Sequence, residues 1–171
     1  MNDVDTSPKK PLIVEWLNGI RAAHIAHQRA AARYAARHRW IGIPATVLSI
    51  AVGTSVFGSL ASTEQRWILV IAGTMSVVAA ISTGLQSFLD YAALAAKHQA
   101  ASVKYAYLKR DVESLIDLEG EKPNKDEIQR IKEEWNSADA ESPIPPQTIT
   151  DAARSYVAEL QGKRDSADEP A

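Results

Sequence analysis

Two stretches of the chain carry no charge, Trp40 to Leu60 and Trp67 to Leu89, and six residues separate them. A helix needs about 20 apolar residues to cross ~30 Å of hydrocarbon, and these runs of 21 and 23 residues meet that requirement. The pattern predicts an all-α protein in which two apolar helices form a transmembrane hairpin around the short connection Ala61 to Arg66.

The polar flanks keep a helical period. Ahead of the first run, Leu17, Ile20, His24, His27, Ala31, Tyr34, His38 and Ile41 follow alternating steps of three and four. After the second, Tyr91, Leu94, His98, Ala101, Tyr105, Leu108, Val112 and Leu115 do the same. Each series is the seam of a helix, and a short hairpin loop forces the two helices to run antiparallel. The spans are therefore expected to continue into the cytoplasm as a paired helical stalk. Gly120 and Pro123 end it. Asn124 then caps a short charged helix to about Asn136, with Ile128, Ile131 and Trp135 on its apolar side. Pro143-Ile-Pro-Pro146 forces an extended segment, and Thr150 caps a last helix to about Gln161. The expected organisation is a flexible N-terminus over 1–11, then the hairpin with its stalk over 12–119, with spans 40–60 and 67–89. A C-terminal cytoplasmic helical segment over 120–162 and a disordered tail over 163–171 complete it.

Charge orients this hairpin. Residues 1 to 110 carry 12 Lys/Arg against 5 Asp/Glu, whereas 111 to 171 carry 7 against 16. Arg29, Arg33, Arg37 and Arg39 precede the first span, and Lys97, Lys104, Lys109 and Arg110 follow the second. By the positive-inside rule both termini of this multi-pass protein are expected to be cytoplasmic, with the short loop outside. Arginines next to a span sit within a Debye length of anionic lipid, so the bilayer is their expected partner and nucleic acid is not. The first apolar run begins 39 residues in and is too long for a signal peptide, so it is expected to stay attached as an anchor. Cysteine is absent, which excludes disulfides, thiolate catalysis and zinc-sulfur sites.

Chemistry is sparse. No glycine-rich phosphate loop, HExxH or nucleophile triad is present, so the chain is not expected to be an enzyme and no cofactor is implied. His24-x-x-His27 has ligand-compatible spacing but no carboxylate or Cys close by in sequence, so no metal site is expected. His24, His27, His98 and Tyr105 are read instead as polar residues of the stalk seam, fixing its pairing or loosening it when protonated near pH ~6.

On a helical wheel the second span divides into an aliphatic face and a small, polar one. Ser76, Ala80, Thr83, Gly84, Gln86, Ser87 and Asp90 belong to the second, as an oligomer-packing surface or a pore lining. Two spans cannot enclose an aqueous path, so a pore requires a homo-oligomer. Trp40 and Trp67, with Arg33, Arg37 and Arg39, are candidate membrane-interface residues. Pro44 lacks an amide hydrogen and should leave the Trp40 carbonyl without its helical partner, making a kink or a hinge.

The layout resembles the SLATT domain, a bacterial two-transmembrane effector found beside nucleotide-signalling and other anti-phage conflict systems. The resemblance lies in Arg33 through His38, in Leu85-Gln-Ser-Phe88, in Ala95-x-x-His98-x-x-Ala101-x-x-x-Tyr105-x-x-Leu108-x-Arg110, and in Pro143-Ile-Pro145, covering roughly residues 22 to 146. It implies an effector that forms pores when triggered by a separately encoded sensor or nucleotide-signalling protein, causing cell death or growth arrest. The rival expectation is a non-conducting membrane anchor or scaffold that recruits a cytoplasmic partner through its acidic C-terminal helices.

Overall fold

A computed structural model describes residues 10–59, 66–117 and 124–167. The described residues form five helices: α1 (Lys10–Ser59), α2 (Arg66–Leu89), α3 (Tyr91–Asp117), α4 (Lys125–Glu141) and α5 (Gln147–Ala167). They fall into two compact units, one combining the chain up to Ala31 with Ala96 onward, the other comprising Ala32–Ala95. Helix α1 contributes to both.

The first unit is a helical bundle. Along its part of α1 the numbering falls as that of α3 rises: His27 meets His98, and His24 meets Ser102. This is the antiparallel pairing that the two seams anticipate. Ile13, Leu17 and Ile20 pack with Ala101, Tyr105, Leu108, Val112 and Leu115 in one core. That core does not close with two helices. Ile131 and Ala138 of α4 belong to it, with Trp135 packed against it. Trp135 also meets Trp16 edge-on, with ring centroids 6.3 Å apart. From α5, Ile149, Ala153 and Val157 are buried, and Gln161 accepts a 2.6 Å hydrogen bond from Asn18 on α1. The C-terminal helices therefore share the stalk's core, and the expected division at residue 120 does not separate two structural bodies. Ion pairs tie these helices together: Glu141 of α4 pairs with Lys104 of α3, Arg130 of α4 with Asp111 of α3, and Glu113 of α3 with Arg21 of α1.

Helix ends follow local chemistry. Asn124 has extended backbone and its side-chain oxygen accepts the Asp126 amide at 3.2 Å, so it caps α4 as its sequence position suggests. Helix α4 runs past Asn136 to Glu141, since Ala138 continues the buried stripe of Ile128 and Ile131, and stops at Ser142 because Pro143 disfavours helix before it. Helix α5 begins at Gln147 rather than Thr150, because the Pro146 carbonyl already accepts the Ile149 and Thr150 amides. It also continues through Gly162 to Ala167. Lys163 pairs with Glu159 one turn earlier and Ser166 bonds back to the Gly162 carbonyl, so residues 163–167 are helical and not the expected disordered tail. The expectations for residues 1–9, for the loop 60–65, for Gly120 and Pro123, and for 168–171 lie outside the described residues.

In the second unit α1 and α2 meet where Gln86 lies against His38 and Gly42. Alanines make the buried contacts here: Ala45, Ala72 and Ala79. The large apolar side chains turn outward. Trp40 is 80% exposed and Phe88 86%, with Ile43, Val47, Val70 and Ile81 also exposed. Helix α1 continues through Pro44. Among the described residues one helical stretch, Val70–Ile116, is long and apolar enough to cross a membrane.

Candidate functional site

Two places concentrate chemistry, one in each unit. In the bundle, the seam spacing of α1 and α3 puts His27 and His98 at the same level, and both imidazoles are buried, at 3% and 1% exposure. Their Nδ1 atoms are 3.1 Å apart, so one ring donates and the other accepts. Tyr105 stacks on His27 with centroids 5.2 Å apart, and its hydroxyl donates to the Asp139 carboxylate of α4. Next to this layer, His24 Nδ1 lies 2.9 Å from the Ser102 carbonyl oxygen. The layer joins three helices through directional bonds between groups that cannot be left unpaired in a core.

Burial sets the protonation of this layer. Removal from water, reinforced by neighbouring His98, lowers the His27 pKa to about 4, with the Asp139 charge opposing and His24 adding to the fall. Burial likewise lowers that of His98. Burial and the bond to Asp139 raise the Tyr105 phenol well above its ordinary value. At neutral pH both imidazoles are uncharged. Among the described residues no group of three or more His, Cys, Asp or Glu side chains is placed to hold a metal ion.

The second place is the junction of α2 and α3. Asp90 has φ 39°, in the left-handed region, where aspartate is among the residues best tolerated. Its carboxylate accepts the Ala93 amide at 3.3 Å, so it caps α3 as well as turning the chain. Gln86, one turn earlier, places its amide nitrogen 3.3 Å from His38 Nδ1 and lies over Gly42, where a Cβ would come within 2.8 Å of that nitrogen. Tyr34 stacks on Tyr91 with centroids 5.9 Å apart, and the Arg37 guanidinium lies over both rings at 5.9 and 5.8 Å. His38 and Gln86 thus cross-link α1 and α2, and neither is a free lining group within one chain.

The remaining residues singled out from sequence sit on the surface of the single chain. Ser76, Ala80, Thr83, Gly84 and Ser87 are exposed, and a Cβ on Gly84 would meet nothing within 4 Å. Within the chain part of the small, polar face is used, with Ala72 and Ala79 buried and Gln86 bonded to α1, while Ser76, Ala80, Thr83, Gly84 and Ser87 of that face are left open. Thr46, Ser49, Thr74, Ser82 and Thr83 donate their hydroxyls to the carbonyl four residues earlier. Arg33 and Arg39 are exposed, as is Trp67, and Arg39, Trp40, Ile43 and Pro44 line one shallow groove on α1. Sequence reasoning missed Asp139, because the charged helix was taken to end at Asn136. The signal was Ala138, which prolongs the apolar series Ile128, Ile131, Trp135 by one more step.

Comparison with known families gives a match to the SMODS and SLOG-associating 2TM effector domain family 4 over residues 13–165. The match covers the bundle and the apolar helices together and extends beyond the motifs legible by eye. No curated protein and no solved structure matches the chain. With nearly its whole length covered, including both seams, Gln86, Asp90 and the helices that close the bundle, the chain belongs to the family of SMODS and SLOG-associating two-transmembrane effector domains.

Proposed function

We propose that this membrane effector crosses the inner membrane as a hairpin of Trp40–Leu60 and Trp67–Leu89, with both termini cytoplasmic, and that copies assemble to permeabilise the membrane when a separately encoded sensor triggers them. Cell death or growth arrest follows. The observation that carries the reading is the outward turn of Trp40, Ile43, Val47, Val70, Ile81 and Phe88, while the bundle buries most of its large apolar side chains. Such a surface is costly in water and suits hydrocarbon. The hydroxyls bonded to their own helices fit the same setting, since lipid offers them no partner. Ser76, Ala80, Thr83, Gly84 and Ser87, left open within one chain, are the surface on which copies meet, and they line water only in the assembled state.

The test is made in bacterial cells overproducing the full chain, so that high concentration drives the copies together without the sensor. Wild type should collapse the membrane potential, release potassium and admit propidium, and Thr83→Leu and Ser76→Leu should reduce all three at equal membrane content. An intact potential with the protein fully in the membrane fraction would leave the non-conducting anchor as the function.

A further inference from the structure

The histidine layer is unused by the membrane reading. It spans three helices of the bundle, and both of its imidazoles are buried. With both imidazoles neutral, one Nδ1–H points at the other ring's lone pair across 3.1 Å. A further proton on either ring makes an imidazolium. Its charge then sits on a ring exposed by only 3% or 1%, against a second histidine, where few waters can solvate it.

We propose that the His27–His98 layer is a proton-operated lock on this bundle: acidification breaks it and releases α1 from α3 and α4. The groups facing it come from every helix of the bundle. Helix α1 contributes His24, whose Nδ1 is held at the Ser102 carbonyl. Helix α3 contributes Tyr105, stacked on His27, and helix α4 contributes Asp139. Arg154 of α5 and Glu15 of α1 line the same groove as His27. Among the described residues the Asp139 carboxylate favours a charged His27, and it already accepts the Tyr105 hydroxyl. Burial and the second histidine outweigh it.

The sign follows from the unfolded reference. His27 takes up a proton near 6.5 when unfolded and only near 4 when folded, so the unfolded chain binds more protons between those values. Stability is complete above that window and is lost as pH falls through it. For His27 alone, the folding constant of the bundle should drop on the order of twenty-fold from about pH 7 to about pH 5. The lock belongs to one unit and holds whether the protein conducts or only anchors.

The experiment uses the full chain in detergent micelles with Trp40→Phe and Trp67→Phe, so that Trp16 and Trp135 report on the bundle. Denaturant unfolding is followed by fluorescence across that pH range, for this protein and for the same protein carrying His27→Asn and His98→Asn. Asparagine keeps a nitrogen near the Nδ1 position and cannot take the proton. The histidine form should lose stability on acidification and the asparagine form should lose distinctly less. Equal pH slopes in the two, or a wild-type bundle as stable at about pH 5 as at about pH 7, overturn the lock. Should the double variant not fold, ring-nitrogen NMR of the native protein decides. His27 must stay neutral at about pH 5, and titration near its ordinary value overturns the proposal.

Discussion

In the bundle, Ile20, Ile131 and Val112 are fully buried; in the unit built from residues 32–95 large apolar side chains face outward and alanines are buried. There Ala45, Ala72 and Ala79 are buried, while Ile43, Val70 and Ile81 face outward. One chain thus obeys two rules of burial. In water the gain comes from removing large apolar groups from solvent, so a core collects them. Where the surroundings are as apolar as the side chains, that gain vanishes and helices meet through small residues that let backbones approach. Under the proposed function, the contrast separates the part of the chain built for water from the part built for lipid.

The comparison breaks most sharply at its cores. Ile20→Ala should destabilise the bundle by about 2–5 kcal/mol, because it opens a cavity at a fully buried site. Ile81→Ala should cost almost nothing in micelles, since Ile81 is 64% exposed. Denaturant unfolding with the two bundle tryptophans as reporters measures the first, and melting of total helix by circular dichroism the second. Similar losses at both positions would mean that the outward aliphatics are covered by protein.

A charge tests the surroundings directly. Ile81→Arg places a cation in the middle of the second apolar run, which on insertion scales costs about 2.5–3.5 kcal/mol. It should shift the protein out of the membrane fraction, whereas Leu160→Arg, on an exposed position of α5, should leave fractionation unchanged. Normal insertion of the Ile81 variant would remove the lipid reading of that face.

The polar layer gives a smaller effect. Tyr105→Phe keeps the stacking on His27 and removes the donor to Asp139, so the bundle should lose about 1.5–3 kcal/mol, the usual worth of a bond to a charged group. A loss several times larger would mean that the layer acts as a cooperative network.

The finest contrast lies between two glycines of the apolar unit. At Gly42 a Cβ must push the Gln86 amide away from His38, while at Gly84 it enters open space. Gly42→Ala should therefore lower the melting temperature slightly, and Gly84→Ala should be neutral or raise it, since alanine favours helix over glycine by up to about 1 kcal/mol. Loss of oligomer without loss of helix in the Gly84 variant, read by cross-linking in membranes, would identify that position as a contact between copies.

How much was legible from the residues varies along the chain. The seam of α1 and α3 was, because apolar positions at steps of three and four can face only one way. His27 and His98 could be placed on that seam, yet their register was not readable: pairing depends on where α2 ends, and the turn at Asp90 is a tertiary choice. Ile128, Ile131 and Trp135 announced a buried face on α4 and said nothing of what it covers. Gln86 sat on the small, polar face of the wheel, and only the structure shows it turned back onto Gly42 and His38. Thr150 looked like a cap, and the Pro146 carbonyl had already started the helix.

The sequence by itself determined the local properties: helix over nearly the whole chain, two charge-free runs of membrane length, basic flanks around them, and an extended proline segment. These depend on each residue and its near neighbours in the same helix, so they can be read in one dimension. Tertiary structure alone decided that the acidic helices close the stalk's core, that Asp139 reaches Tyr105, and that two imidazoles share one proton-dependent contact. Those depend on side chains far apart in sequence meeting at hydrogen-bond distance, and a difference of one helical turn in register would abolish each of them.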